Sequence, residues 1–304
     1  MQTSEVPVRA AALRAVRQRA IFAILGAALL FAMAAACVKA LHGAVPLMQL
    51  MLFRSLFALP VLLPLLRQAG GWQALKTTSP LGHAWRTFFG LVGMGTAFYG
   101  YATMPIAAVT ALGFTMPLFL TLLAIPLLGE TVGWRRSLAV AVGFAGVLLV
   151  VRPWSGGEDM PLVPSLVVLA GALSWALAMI TIRRMGQAGE SGVSIVLWFA
   201  IGSSIVTGVL SIPGWIWPTP LQWALLFGIG MVSALAQLLM TEAYRSGETT
   251  VVAPFEYSGI IWTTLLGAVI WSEMPDPWDG AGVAVLVGSG LYIWYRETQL
   301  GIRR

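Results

Sequence analysis

The chain has 304 residues, of which 58% are hydrophobic and only 10% are charged. Soluble domains are usually about 45–50% apolar and about 25% charged, and soluble cores of this size could not bury the excess apolar surface. The composition excludes an ordinary soluble enzyme, a nucleic-acid-binding domain and a disordered adaptor, despite a net charge of +6. The single cysteine, Cys37, excludes an internal disulfide and a multi-cysteine metal site.

Ten apolar runs approach the length of about 20 residues that a membrane-spanning helix needs. They are Ile21–Leu41, Leu47–Leu66, Ala84–Thr103, Ile106–Leu128, Leu138–Val151, Leu162–Ile182, Ser194–Ile212, Leu221–Met240, Val251–Trp271 and Ala281–Tyr295. Gly and Pro residues separate the runs, and no linker is long enough to divide the chain into soluble domains. The sequence therefore predicts an all-α integral membrane protein with ten transmembrane helices in a lipid bilayer.

Basic residues are concentrated in alternate connections between these runs. If the N-terminus is inside, the outer loops hold only Arg152. The inner segments then hold Arg9, Arg14, Arg17, Arg19, Arg67, Lys76, Arg86, Arg135, Arg136, Arg183, Arg184, Arg245, Arg296, Arg303 and Arg304. Because cytoplasmic loops carry the excess of Lys and Arg, this asymmetry predicts that the terminal segments, 1–20 and 297–304, are cytoplasmic.

Residues 101–152 and 244–296 resemble each other in the order of their residues. Tyr101 corresponds to Tyr244, Glu130 to Glu273 and, after one extra residue, Trp134 to Trp278. The spacing places five spans in each half of the chain, 21–152 and 162–296. Because five is odd, the second half must cross the membrane in the opposite sense. Inverted repeats are typical of secondary transporters that bind substrate between the halves, although channels also use them.

Lys39 and Arg54 are basic residues in the outer parts of apolar runs. Lys39 is in the outer part of the first span, and Arg54 is in the outer half of the second. Such residues face the bundle interior or a wet cavity rather than lipid. Lys39 has the alternative of extending to the outer headgroups, while Arg54 is deeper. Because a guanidinium can bind a carboxylate with two hydrogen bonds, we expect Arg54, together with Lys39, to attract a substrate carboxylate.

Glu256 is an acidic residue in the inner part of the ninth span. A buried carboxylate of this kind could carry a proton or meet a substrate amine, which makes it a candidate for proton coupling. The alternative is an ion pair with Arg245 or Arg86. Four further residues are candidates for hydrogen bonding or stacking in a cavity, with ordinary packing as the alternative for each: Tyr99, Trp175, Gln237 and Trp262.

The sequence contains no pattern that indicates an enzyme. His42 and His83 fall near opposite faces of the membrane in this topology and could not share a metal. No H-E-x-x-H or G-x-S-x-G motif is present. We therefore expect no catalytic residues, no metal and no cofactor, and a small molecule as the partner.

Pro117 lies in the fourth span, Gly129-Glu130 closes that span, and Ser272-Glu273 is the matching closure in the second half. With ten helices of similar length in two halves, these residues resemble the EamA family of the drug/metabolite transporter superfamily. Ile260 stands at the counterpart of Pro117 and departs from the first half. The resemblance implies a central cavity between the halves, alternating access, and peripheral fifth and tenth helices.

The resemblance also implies a function, because members of this family export amino acids and other metabolites. We therefore expect export of amino acids or related zwitterionic metabolites. Lys39 and Arg54, in the contexts Val38-Lys39-Ala40 and Phe53-Arg54-Ser55, are similar to the branch that takes up S-adenosylmethionine or vitamins such as riboflavin, so uptake remains an alternative. A channel or a non-transporting scaffold is a third, although a channel would show a continuous polar stripe.

Overall fold

The computed structural model describes residues 5–68, 71–128, 133–155, 160–246 and 255–299, which form helices and no strand. The helices are α1 (Glu5–Ala40), α2 (Leu47–Leu56), α3 (Leu59–Gln68), α4 (Pro80–Thr103), α5 (Ile106–Gly113), α6 (Met116–Leu128), α7 (Trp134–Val151), α8 (Leu162–Gln187), α9 (Gly192–Ser211), α10 (Pro220–Ser246), α11 (Ser258–Trp271) and α12 (Pro277–Gln299). The all-helical class predicted from the sequence is confirmed.

Six segments of the described chain are long and apolar enough to cross a membrane: Gln18–Ala40, Leu47–Gln68, Ile106–Leu123, Leu162–Gln187, Gly192–Gly214 and Pro220–Met240. Ser137–Val151 and Ser258–Trp271 are shorter apolar helices. The protein is thus a multi-pass membrane protein. The count of ten spans stays a prediction, and the start of the ninth predicted span, including Pro254, lies outside the described residues.

Prolines set where several helices begin. Pro80, Pro220 and Pro277 are first residues of α4, α10 and α12, where a missing N–H costs nothing because it would have no partner in the helix. Pro60 and Pro117 lie inside predicted spans, and there the structure shows a break rather than a kink. α2 ends before α3, and α5 ends before α6, because proline cannot continue the hydrogen-bond ladder.

The helix contacts are nearly unchanged when the two halves exchange places. α1 packs on α10 as α4 packs on α8, and α1 packs on α11 as α5 and α6 pack on α8. Three pairs map onto themselves: α2 with α9, α5 with α11, and α7 with α12. These pairings place contacts between the two halves along the bundle.

Glycines make the α7–α12 contact close. A Cβ on Gly146 would lie 2.8 Å from the carbonyl oxygen of Gly282, and a Cβ on Gly282 would lie 2.8 Å from that of Gly146. The small residue stripe of α12 visible in the sequence is on another face, since a Cβ on Gly280 or Gly288 would meet nothing within 4 Å. Close backbone approach at glycine is common between membrane helices.

Candidate functional site

Arg54 lies in the last turn of α2, at the break before α3. The residue is only partly buried and keeps some accessible surface. The helix end favours a cation there, because the unpaired carbonyls of a C-terminus carry partial negative charge. The interruption of the second span therefore does more than bend the helix. It creates a helix C-terminus beside the cationic side chain.

Arg86 is a candidate site residue that the sequence reasoning missed. It was assigned to a cytoplasmic loop end, but α4 begins at Pro80 and Arg86 is only 7% exposed. Its guanidinium carbon lies 4.1 Å from the ring centre of Phe199 and 5.6 Å from that of Trp175. Such cation–π contacts partly offset the loss of water around the charge. Its Nε and Nη1 atoms are buried without a hydrogen-bond partner among the described residues.

Arg54 on α2 and Arg86 on α4 are two cations inside the same helical bundle. In the part of the chain that the structure describes, no carboxylate pairs with either guanidinium. The suggested ion pair of Glu256 with Arg86 is therefore not formed. Two cations held together in a membrane interior are costly unless an anion joins them. A carboxylate, which each guanidinium binds well, is the group that this arrangement accommodates best.

Gly90 provides the space for Arg86 one turn along α4. A Cβ at this position would lie 2.1 Å from Nη1 of Arg86 and 2.6 Å from Cε2 of Phe199. A side chain here would therefore push the guanidinium off the ring. The glycine one turn after the arginine is the signal that could have identified Arg86 in the sequence.

Lys39 is held by protein groups at the end of α1. Its ammonium forms an ion pair with Glu273, donates a 2.8 Å hydrogen bond to the carbonyl of Met104, and lies 5.5 Å from the ring of Trp271. The second Glu273 oxygen is 3.4 Å from the backbone nitrogen of Ile106, at the start of α5. Lys39 thus neither extends freely to headgroups nor awaits a substrate. It connects the ends of α1, α4 and α11.

A second polar contact lies at the same end of the bundle, where α1 ends and α2 begins, which we call the Lys39 end. Gln49 is fully buried in α2 and binds the backbone of Ile216, donating at 2.8 Å and accepting at 3.2 Å. Phe53 packs beside it against Trp223, with ring centres 4.7 Å apart. Together these contacts close the Lys39 end across the two halves.

The opposite end, where α8 ends and α9 begins, is held by Glu190 and is called the Glu190 end. Oε1 of Glu190 accepts hydrogen bonds from Thr77 Oγ1 at 2.6 Å, Thr78 N at 2.7 Å and Ser79 N at 3.1 Å. Nε2 of His83 lies 3.4 Å from Oε2. Burial raises the pKa of Glu190, but these donors outweigh burial and lower its pKa to about 2. Glu190 is therefore a carboxylate at neutral pH.

The remaining candidates are distributed over the bundle. Of these, only Trp175 contacts the arginine pair, through Arg86. Tyr99 is exposed on α4, and the indole nitrogen of Trp262 is buried without an acceptor among the described residues. Gln237 and Glu256 each have an interaction partner. Glu130 and Gly129 lie outside the described residues, so the match of Glu130 with Glu273 stays a prediction.

No described group of three or more His, Cys, Asp or Glu side chains is arranged to hold a metal ion. The chemistry that the described interior offers is instead electrostatic and aromatic. Two guanidiniums and the rings of Phe199 and Trp175 can bind an anionic organic molecule without covalent change.

Several curated bacterial proteins share sequence with this chain over most of its length. An S-adenosylmethionine uptake transporter of Rickettsia bellii is 32% identical over 249 residues, which is 81% of this chain and 82% of the relative. A riboflavin transporter of Rhizobium johnstonii is 31% identical, covering 81% and 78%. A pseudopaline exporter of Pseudomonas aeruginosa is 30% identical, covering 84% and 89%.

The fold is shared with a solved protein of distant sequence. A crystal structure with 20% sequence identity superposes with a TM-score of 0.65 over 92% of this chain and 98% of the other. The EamA-like transporter family matches this chain twice, at residues 18–152 and 163–295. The resemblance read from the sequence is therefore confirmed, and the chain belongs to the EamA-like transporter family.

Proposed function

We propose that the protein is a secondary transporter that moves amino acids or related small zwitterionic metabolites across the bacterial inner membrane by alternating access, outward. In this proposal the halves 21–152 and 162–296 are inverted repeats of five spans each, and both termini are cytoplasmic. The exchange symmetry of the helix contacts supports the proposal. So do the polar contacts that close both ends of the bundle, because a carrier must open each end in turn.

The position of Arg54 is the main support for the proposal. A cation with accessible surface inside a membrane bundle, at a helix end and without a described carboxylate partner, is arranged to receive a substrate carboxylate. An amino acid supplies that group. The scarcity of other unpaired charge in the described interior favours a carrier over an ion channel.

Uptake of S-adenosylmethionine or riboflavin is the second candidate. Relatives that carry those names match the chain at 32% and 31% identity, close to the 30% of the pseudopaline exporter. S-adenosylmethionine has a carboxylate that Arg54 could bind. Riboflavin has a flat ring system that the aromatic side chains around Arg86 could stack on.

Counterflow in proteoliposomes tests the function. Liposomes are preloaded with unlabelled L-glutamine, L-glutamate, S-adenosylmethionine or riboflavin, and the uptake of the same solute in labelled form is measured. Only solutes of the true substrate class should accumulate, and their accumulation should be saturable. Arg54→Ala should raise the half-saturation concentration about ten-fold or more, as expected for a lost hydrogen bond to a charged group. Arg67→Ala, at an exposed position on α3, is the matched control. Non-saturable flux would indicate a channel, and no flux of any solute would contradict the proposal.

Intact cells test the direction. Cells that express the protein should lose preloaded amino acid faster than cells with the Arg54→Ala variant. Faster accumulation of S-adenosylmethionine or riboflavin would instead favour the second candidate. Glu256 is the proposed proton carrier, and Glu256→Gln should remove the response of counterflow to an imposed pH gradient. An unchanged response would exclude this role.

A further inference from the structure

We infer that Arg86 selects cargo by charge, and that the preferred substrate is an amino dicarboxylate, with two carboxylates and one ammonium, rather than a neutral amino acid. The inference rests on the proposed transport function and adds the charge of the substrate to it. In this inference Arg54 binds one carboxylate of the substrate and Arg86 binds the other.

Arg86 has the features of a binding residue rather than a loop cation. The residue is only 7% exposed, and its Nε and Nη1 donors have no acceptor in the described part of the molecule. The rings of Phe199 and Trp175 lie against the guanidinium and fix its position. Buried donors without acceptors are costly, so a protein retains them where a ligand supplies the acceptor.

Charge balance decides which ligand fits. Arg54 and Arg86 together contribute two positive charges to the bundle interior, and no described carboxylate compensates them. By contrast, the charge of Lys39 is neutralised by Glu273. A neutral zwitterion brings as much positive as negative charge and leaves the excess in place. A molecule with two carboxylates and one ammonium lowers the excess by one, whereas S-adenosylmethionine, with its sulfonium, raises it.

The aromatic contacts explain why residue 86 is an arginine rather than a lysine. The planar guanidinium stacks on Phe199 and still presents donors at its rim, while an ammonium is a point charge that holds water more strongly. The ring contacts offset part of the lost hydration of the buried Arg86 guanidinium, so it gives up less water than an ammonium would when it binds a carboxylate.

L-glutamate and L-glutamine are the probes, because they have nearly the same shape and differ in one charge. In competition with labelled L-glutamate during counterflow, wild-type protein should bind L-glutamate at least about ten-fold more tightly than L-glutamine. Arg86→Gln should remove that preference by weakening L-glutamate binding about ten- to hundred-fold while leaving L-glutamine unchanged. Arg86→Lys should retain part of the preference. Arg67→Gln is the charge-matched control and should leave the ratio unchanged.

The stability of Arg86→Gln separates a binding role from a structural one. Removing an uncompensated buried cation should leave the melting temperature unchanged or raise it, as often happens at sites kept for function. A wild-type protein that transports L-glutamine as well as or better than L-glutamate would overturn the inference and leave the proposed function intact. The inference is equally overturned if Arg86→Gln lowers the affinity for both probes alike. If no counterflow is seen with L-glutamate, L-glutamine or any of the other solutes, both the inference and the proposed function are rejected.

Discussion

Gln49 and Ile216 exchange two hydrogen bonds across the interface between the halves, and the amide of Gln49 is completely buried while it does so. One side chain thereby satisfies both backbone groups of a residue in the connection between α9 and α10. The contact closes the Lys39 end without any charge. It can be broken and remade at lower cost than a buried ion pair, which suits a contact that must open during transport.

Replacing Gln49 by Leu should loosen the Lys39 end. The substitution leaves the N–H and C=O of Ile216 without partners, at a cost of about 1–3 kcal/mol. Cys37, the single cysteine, is half-buried beside the apolar cluster at this end and serves as a reporter. Its rate of reaction with N-ethylmaleimide in detergent should rise several-fold. Gln73→Leu, at an exposed position, should leave the rate unchanged, and an equal rise in both variants would argue against the contact.

The ion pair between Lys39 and Glu273 should contribute to stability rather than to substrate binding. The two side chains are only 12% and 24% exposed, and Glu273 also lies near the first amide of α5. Lys39→Met or Glu273→Gln should lower the free energy of unfolding by about 1–3 kcal/mol, because each leaves a partly buried charge unpaired. The double variant should lose less than the sum of the single losses.

A double-mutant cycle on thermal unfolding in detergent measures this coupling. Lys76→Met, at an exposed position, is the control for removing a lysine. In the variants that fold, the half-saturation concentration for the transported solute should stay within about two-fold of the wild-type value, because the contact does not bind the substrate. Strictly additive losses, or a selective loss of substrate affinity in Lys39→Met, would contradict the structural role.

Glu190 should make the stability of the protein depend on pH in the acid range. Its pKa is lowered to about 2 in the folded protein from an ordinary value of 4.5, so the folded state holds the carboxylate more favourably than the unfolded state does. This stabilisation is fully present above pH 4.5 and is lost as the pH falls through about 2. Glu190→Gln should therefore be less stable than wild type at neutral pH, by about 1–2 kcal/mol.

The difference between wild type and Glu190→Gln is the quantity to follow. It should be constant from pH 7 to about 5 and should shrink as the pH falls further, because protonated Glu190 and glutamine are similar acceptors. Chemical unfolding in detergent at a series of pH values measures it. A difference that grows toward low pH would show that the hydrogen bonds from Thr77, Thr78 and Ser79 do not hold the carboxylate in the folded protein.

Periodicity and composition were sufficient to predict the helices, but not the breaks within the predicted spans. Apolar runs and prolines predicted the positions of α8 and α11 within a few residues, apart from the start of the ninth span, outside the described residues. The apolar run Leu47–Leu66 predicted one continuous span, and the structure divides it into α2 and α3 near Pro60. Whether a helix kinks or ends depends on whether the freed carbonyls find other partners, and those partners come from distant parts of the chain.

The residues of the candidate site were likewise predictable only in part. Arg54 was identifiable because a charge in the middle of an apolar run is too costly to face lipid and must point into the bundle. Arg86 was counted with the cytoplasmic segments because the apolar run of its helix begins only two residues earlier, whereas α4 itself begins at Pro80. The contact of Lys39 with Glu273 was not predicted, since it depends on the packing of α1 against α11. Sequence spacing carries no information about such contacts between halves.

Gly90 provides the most selective test of the arginine pair, because a single methyl group there should displace Arg86 without removing any charge. The added Cβ would fall 2.1 Å from Nη1 of Arg86 and 2.6 Å from Cε2 of Phe199, so both side chains must shift. Gly90→Ala should therefore lower substrate affinity in counterflow about ten-fold and lower the stability by about 1–3 kcal/mol, because the ring is buried in a packed interior. Gly228→Ala, on α10, adds the same methyl group where nothing lies within 4 Å. That control should keep wild-type affinity and gain up to about 1 kcal/mol of stability, because alanine favours the helix over glycine. If Gly90→Ala transports as well as Gly228→Ala, the position of Arg86 against Phe199 has no part in binding the substrate.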